Sequence, residues 1–167
     1  MNSKEIIWAP WRMGYILKVK KNKCFLCDGL KSKKNKYIVY RGEHSFVVMN
    51  IYPYNNGHIM IAPLRHIKDL EELKKVELEE IDNFIITSVR ILKRILKPEG
   101  FNIGLNIGKV SGAGLEDHLH IHIVPRWQGD TNFMPVISNT KVIPQSLDEL
   151  SKILKREFKK GIKNVYR

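Results

Sequence analysis

The hydrophobic pattern of the chain has two periods. Tyr37-Ile38-Val39-Tyr40, Ser45-Phe46-Val47-Val48-Met49-Asn50, His58-Ile59-Met60-Ile61-Ala62-Pro63 and Phe101-Asn102-Ile103-Gly104-Leu105-Asn106-Ile107 are short runs rich in β-branched and aromatic residues. Turn formers bound them, and each is predicted to be a strand. Pro53-Tyr54-Asn55-Asn56-Gly57 is a dense turn signal between the second and third, which predicts an antiparallel pair there. A fifth run, His118-Leu119-His120-Ile121-His122-Ile123-Val124, alternates strictly. In a strand, residues two apart share a face at a separation of about 7 Å. His118, His120 and His122 are thereby expected to line one face, with Leu119, Ile121 and Ile123 on the other. On a helix the three would spread over about 400° and share no face.

The period changes to a helical one over residues 69–97. Ile81, Phe84, Ile85, Val89, Leu92, Ile95 and Leu96 form one apolar stripe with charges opposite, and Pro98 and Gly100 stop it. This is a packing helix to which we assign no chemistry. Ser146-x-x-Glu149 is a capping box that opens a last amphipathic helix with Leu147, Leu150, Ile153, Leu154 and Phe158 on one face. The basic tail Lys159–Arg167 is expected to fray.

Composition narrows the setting. At 167 residues, with no internal repeat and no linker, the chain is expected to form one domain over residues 1–167. No run of 18 apolar residues suggests a membrane span, and Met1–Trp11 lacks the form of a secretory signal. Cys24 and Cys27, spaced C-x-x-C, are then expected in a reducing compartment, the cytoplasm, in metal or redox use rather than a disulfide. The formal net charge is +12, but the lysines are spread thin. Most of that charge reads as ordinary surface, compatible with an anionic substrate without singling one out.

Candidate chemistry centres on the fifth run. Three histidines in register suit metal binding or proton and phosphoryl chemistry near neutral pH. Gly108-Lys109-Val110-Ser111-Gly112-Ala113-Gly114 leads into it, and a glycine-rich loop lets backbone N–H groups gather around a phosphate. Asn50 and His58 flank the Pro53–Gly57 turn and are expected at one end of the sheet. A pair spaced like Cys24 and Cys27 is how half of a tetrahedral zinc site is commonly made. Thioredoxin-like chemistry would instead place the pair at a helix start after a strand, and the lysine-rich loop after Asp28-Gly29 favours metal. Pro125-Arg126-Trp127-Gln128-Gly129-Asp130-Thr131-Asn132-Phe133 lies where it could cover the site.

These residues carry a resemblance. His118–Val124 followed by Pro125-Arg126 resembles the signature of the histidine-triad (HIT) proteins, nucleotide hydrolases and nucleotidyl transferases. Val48-Met49-Asn50 leading to Asn56-Gly57-His58-Ile59-Met60-Ile61-Ala62-Pro63, and the Asn106 strand with its loop, resemble the family's other half-site. Residues about 24–126 follow the family layout, with 1–23 and 146–167 as extensions. Trp8-Ala9-Pro10-Trp11-Arg12 and the segment 125–133 are similar to the branch of diadenosine tetraphosphate phosphorylases that keeps a full triad.

The resemblance implies an α+β domain: a mostly antiparallel sheet with a long packing helix and a C-terminal helix, with the helices on one side. It implies that His120 attacks the α-phosphorus of a nucleotide and forms a covalent nucleotidyl-histidine. Its other ring nitrogen would be held by a backbone carbonyl from a neighbouring strand or loop. His122 would manage charge at the phosphate and bridging oxygens. Amides of Ser111, Gly112, Ala113 and Gly114 would add donors, Asn50 would contact the ribose and Asn106 the phosphates, and His58 would lie beside the triad. Cys24, Cys27, His66 and His118 would form a closed Cys₂His₂ zinc site, which reads as structural. No catalytic cofactor is implied. The partners implied are a nucleotide, inorganic phosphate as second acceptor, and a second copy of the chain in a homodimer.

Three features depart from the patterns of the family's branches. Phosphorylases and uridylyltransferases usually carry glutamine at the third triad position, where this chain has His122 as the hydrolases do. The glycine-rich loop is about one residue longer than in the hydrolases. Leu115 stands where some of those have a serine near the leaving group, which leaves His122 or the segment 127–133 to protonate it. Two other readings have less in the sequence behind them. A metallohydrolase using His-x-His as ligands lacks a downstream ligand pair. A non-catalytic basic nucleotide- or nucleic-acid-binding module lacks aromatic stacking pairs on adjacent strands, so nucleic acid is not the expected partner.

Overall fold

In the computed structural model the described residues are 24–32, 35–112, 114–131 and 142–163. Trp8–Arg12, Ala113, Asn132, Phe133 and the last four residues of the basic tail lie outside them. Five strands, β1 (Ile38–Arg41), β2 (Ser45–Met49), β3 (Ile59–Pro63), β4 (Gly100–Leu105) and β5 (Ile121–Arg126), form one sheet in the order β1-β2-β3-β5-β4. Every pairing is antiparallel. The helices are α1 (Phe25–Lys31), α2 (Lys75–Leu96) and α3 (Leu147–Lys163). None is long and apolar enough to cross a membrane.

Strand parity explains how the sheet is buried on both faces. Val47, Met49, Ile59, Ile61, Ile121 and Ile123 point to one face and meet Ile81, Phe84, Ile91 and Leu92 of α2 and Leu150, Leu154 and Phe158 of α3. Phe46, Val48, Met60 and Ala62 point to the other and meet Leu26 of α1 and Leu115. The described helices are therefore not all on one side: α1 lies on the face opposite α2 and α3. The long helix is anchored where its stripe is apolar. Leu92 has no exposed surface, and Leu92→Ala would cost about 2–5 kcal/mol. Ion pairing of Arg94 with Glu157 ties α2 to α3 at the rim.

Several boundaries differ from expectation. The helix foreseen from residue 69 begins at Lys75, after a separate 3₁₀ turn, Leu70–Glu72. Glu77 causes the offset. Its carboxylate accepts the Lys74 N–H at 2.8 Å and takes the Arg65 guanidinium in a two-point contact at 2.6 and 2.7 Å, which binds the helix start to the exit of β3. Arg65 holds the Glu77 carboxyl below the usual carboxylate range. At the other end, α3 is helical through Lys163, so residues 159–163 do not fray.

The histidine run is only partly a strand. β5 starts at Ile121, and His118–His120 precede it. β3 ends on Pro63, which brings no N–H, and β4 ends at Leu105. The Leu119 N–H instead donates to the Ile67 carbonyl at 2.7 Å. His118 is released from the regular alternation and turns its ring toward α1, whereas His122 keeps its strand register opposite Met60 and Gly104.

Gly57, after the Pro53–Asn56 turn, is a steric requirement. Its φ is +77°, and a Cβ there would come within 2.5 Å of Leu96 and 3.1 Å of Pro125. The turn carrying Asn50 and His58 can reach the sheet end only with glycine at this point.

Candidate active site and metal cluster

Four residues from three parts of the chain meet beside α1. Cys24 is its N-cap, with Sγ accepting the Cys27 N–H at 3.4 Å, so the pair sits on a helix start rather than a free turn. His66 follows β3 and His118 precedes β5. Sγ of Cys24 lies 3.2 Å from Nδ1 of His118, and Sγ of Cys27 lies 3.3 Å from Nδ1 of His66 and 3.4 Å from Nδ1 of His118. All four atoms fall within 4.8 Å of one another. A tetrahedral zinc with Zn–S of about 2.3 Å and Zn–N of about 2.0–2.1 Å has S···N edges of about 3.5 Å, so the donor set fits such an ion.

The His118 tautomer agrees with that fit. Its Nε2 lies 2.9 Å from the Pro63 carbonyl, which only accepts. Nε2 therefore carries the proton and Nδ1 turns its lone pair to the sulfurs, an outer contact typical of a ligating histidine. Burial pushes the His118 imidazole below its ordinary pKa and the Cys24 thiol up to about 11. Binding of a cation there would release the thiol protons.

The next histidine is set the other way. Nδ1 of His120 lies 2.7 Å from the carbonyl of His118. Here Nδ1 carries the proton, and Nε2 presents the lone pair. The holding carbonyl comes from the same run, two residues upstream, and not from a neighbouring strand. His120 is 5% exposed, and burial lowers its pKa, which keeps the ring neutral. A neutral imidazole in one tautomer is what nucleophilic attack on phosphorus requires.

His122 is fixed through His58. The Tyr54 backbone N–H donates to Nδ1 of His58 at 3.0 Å, so the His58 proton is on Nε2. That nitrogen lies 2.8 Å from Nδ1 of His122. Nδ1 of His122 accepts, and the His122 proton is on Nε2. The ring centroids of His120 and His122 are 4.8 Å apart, so a lone pair and an N–H donor stand side by side.

The remaining sequence candidates are distributed around this pair. Asn50 follows β2, and its Oδ1 accepts the Tyr52 N–H at 2.9 Å. Asn106 is half-buried just past β4. The loop forms a 3₁₀ turn, Lys109–Ser111, between Gly108 and Gly112. The N–H groups of Ser111 and Gly112 make long 3.4 Å bonds within it, and the Ser111 hydroxyl donates to Gly108. Gly114 is half-buried, and Leu115 packs with Leu26, joining the loop end to α1.

Residue-by-residue reading missed two supports. Asp130 takes the Arg126 guanidinium at 2.5 and 3.0 Å and the Asn55 amide at 2.7 Å. Arg126 holds the Asp130 carboxyl below its usual range. This brace clamps the 50–58 turn to the end of β5. The second is Tyr54, whose ring lies against His58 and His122 with centroids at 4.6 and 5.7 Å. The turn composition that announced residues 53–57 hid both Asn55 and Tyr54 as ordinary turn residues.

Comparison with known proteins bears on this constellation. Residues 31–129 match the HIT domain. Over 162 residues the chain is 38% identical to AP-4-A phosphorylase of Mycobacterium tuberculosis, spanning 91% of this chain and 83% of that protein. The chain belongs to the HIT family. A second HIT relative, the asymmetrical bis(5'-nucleosyl)-tetraphosphatase of Schizosaccharomyces pombe, is 27% identical over 56% of this chain and 50% of its own length. Both named relatives are enzymes, and the chain is an enzyme of this family. A Zn-bound histidine triad family protein from Mycobacterium smegmatis shares the HIT fold, with a TM-score of 0.66 and 23% identity over 82% of this chain and 94% of that one. His58, His66 and the histidine run lie within the HIT match. Cys24 and Cys27 precede it, so the cluster joins a segment N-terminal to that match to the family's first triad histidine.

Proposed function

We propose that this enzyme cleaves dinucleoside polyphosphates, diadenosine tetraphosphate among them, at the α-phosphate through a nucleotidyl intermediate on His120, with phosphorolysis to ADP and ATP as the principal outcome. The observation that carries this reading is the bond from Nδ1–H of His120 to the His118 carbonyl, which aims a buried, neutral Nε2 lone pair outward. That lone pair attacks the α-phosphorus. An N–P bond forms, the bond from phosphorus to the bridging oxygen breaks, and ATP leaves with the bonding pair. Nε2–H of His122, whose other nitrogen is 2.8 Å from His58, donates a hydrogen bond to the departing oxygen, and ATP leaves as an anion. An oxygen of hydrogen phosphate then attacks the adenylyl phosphorus, and its proton stays on the terminal phosphate of the product. The N–P bond breaks, its electron pair returns to Nε2, and ADP is released. Electrostatic help to the phosphate oxygens falls to amides of the 111–114 loop, and Asn50 and Asn106 are the nucleoside and phosphate contacts.

Zinc is the ion we assign to Cys24, Cys27, His66 and His118. With four protein ligands it has no open position and serves as structure. A reducing, cytoplasmic setting keeps those thiols available. We also read the chain as a homodimer, because β4 forms the sheet edge and leaves Ile103 and Leu105 exposed.

A second reading has one feature in its favour. A histidine stands at position 122, as in the hydrolases, and water in place of phosphate at the adenylyl phosphorus gives AMP and ATP. Incubation with diadenosine tetraphosphate with and without inorganic phosphate separates the two. ADP plus ATP formed only with phosphate supports phosphorolysis, whereas AMP plus ATP at the same rate without phosphate replaces it with hydrolysis.

A further inference from the structure

Leu115 occupies the place where a leaving-group serine would be sought, and it is buried against Leu26. Control of the leaving oxygen therefore falls on His122, and what holds His122 becomes decisive. Its imidazole is tied to His58 by a 2.8 Å hydrogen bond. His58 itself is 1% exposed. One residue touches this pair in two ways. The Tyr54 backbone N–H sets the His58 tautomer, and the Tyr54 ring lies tilted against His58 and stacked on His122, with an interplanar angle of 27° for the latter. The Asn55–Asp130–Arg126 brace holds the turn from which Tyr54 projects.

A hydrogen bond between two imidazoles is strong only where water does not compete for its donor and acceptor. An aromatic ring offset-stacked on the pair excludes water from that side and limits ring rotation at little entropic cost, since tyrosine has two side-chain torsions of its own. We propose that Tyr54 is a positioning residue: its ring covers the His58–His122 hydrogen bond and holds His122 with Nε2–H toward the leaving oxygen. The inference rests on the assignment of His122 to that oxygen. Without the ring, both imidazoles rotate and exchange their bond for bonds to water, and His122 keeps its chemistry but loses its aim.

The test has a spectroscopic arm and a kinetic arm, on the full chain. In ¹⁵N-histidine-labelled protein, the shared Nε2–H proton of His58 should give a low-field, exchange-protected resonance. Tyr54→Ala should lose it to solvent exchange, and Tyr54→Phe should restore it. With diadenosine tetraphosphate, Tyr54→Ala should lower kcat by roughly 10- to 100-fold, the scale of a misplaced catalytic group. KM should stay within about threefold, and the phenylalanine variant should recover most of the rate. A Tyr54→Ala protein that keeps the protected resonance overturns the proposal whatever its rate, as does one that loses the resonance and turns over normally. Phenylalanine failing as badly as alanine also overturns it, since the hydroxyl and not the ring would be responsible. Failure of the functional reading looks different: wild-type protein forms no adenylyl-His120, while the resonance still reports on Tyr54.

Discussion

His118 and His120 stand two residues apart on one run, yet they hold their protons on opposite nitrogens. The Pro63 carbonyl takes the Nε2 proton of His118 and turns Nδ1 to two sulfurs. The carbonyl of His118 takes the Nδ1 proton of His120 and turns Nε2 outward. One ring becomes a candidate ligand in a closed donor set, the other a candidate nucleophile in an open site. Neither role resides in the imidazole, because the partner of the second nitrogen assigns it. The two regions are also coupled. The residue whose side chain faces the cluster offers its backbone to the candidate nucleophile.

The largest expected effect falls on the open side. In the proposed mechanism His122→Gln replaces the aimed imidazole N–H with a flexible amide and should reduce turnover by about 10²–10³-fold, the scale of removing one donor to the developing charge. The residual activity should shift toward ADP over AMP in the presence of phosphate, as nucleotide product analysis would show. The closed side should answer in stability. If zinc is held at about a thousandfold above its dissociation constant, its removal costs about 4 kcal/mol, or about 8–16 °C in melting temperature for a chain of this size. Cys24→Ser should show that loss in calorimetry and carry less than about one zinc per chain by elemental analysis, while kcat measured well below the melting range falls far less than in His122→Gln. Equal loss of kcat in both variants would erase the distinction between the halves.

Much of the fold was legible before any coordinates. The five β-rich runs, the apolar stripe from Ile81 and the capping box at Ser146 are local patterns, and each became an element. Long-range partners were not legible. Nothing in the alternation of His118–Val124 says that Pro63 brings no N–H, that β4 stops at Leu105, or that His118 therefore leaves the strand. The same limit applies to Glu77, which is buried beneath a half-exposed Arg65. Tyr54 shows it within the site, because a tyrosine in a turn is recognised as a clamp only once β5 has brought His122 beneath it.

Acid titration sharpens the comparison on a smaller scale. Burial lowers the His120 pKa, and the reactive form is the deprotonated one. The acid limb of kcat/KM should thus lie below the ordinary histidine value of about 6.5. A limb above pH 7 would require a different nucleophile or a ring exposed to solvent. Smaller again is the effect of the brace. Asp130→Asn leaves Arg126 without its carboxylate and should cost about 1–3 kcal/mol. The folded-state pKa of Asp130 is depressed by Arg126, so this contribution is present above about pH 3.9 and is lost as pH falls through the lowered value. Wild type and variant should therefore converge in stability at strongly acid pH, as parallel melts would reveal.

The central claim is that His120, and no other side chain, takes the nucleotidyl group. Rapid mixing with diadenosine tetraphosphate without phosphate, acid-free quenching and peptide mapping by mass spectrometry measure it directly. One adenylyl group per active chain is expected, on the peptide containing His120, with no adduct and a rate lower by roughly 10⁴-fold or more in His120→Ala, the scale of losing a covalent nucleophile. An adduct on another residue, or turnover by His120→Ala at the wild-type rate, would contradict it.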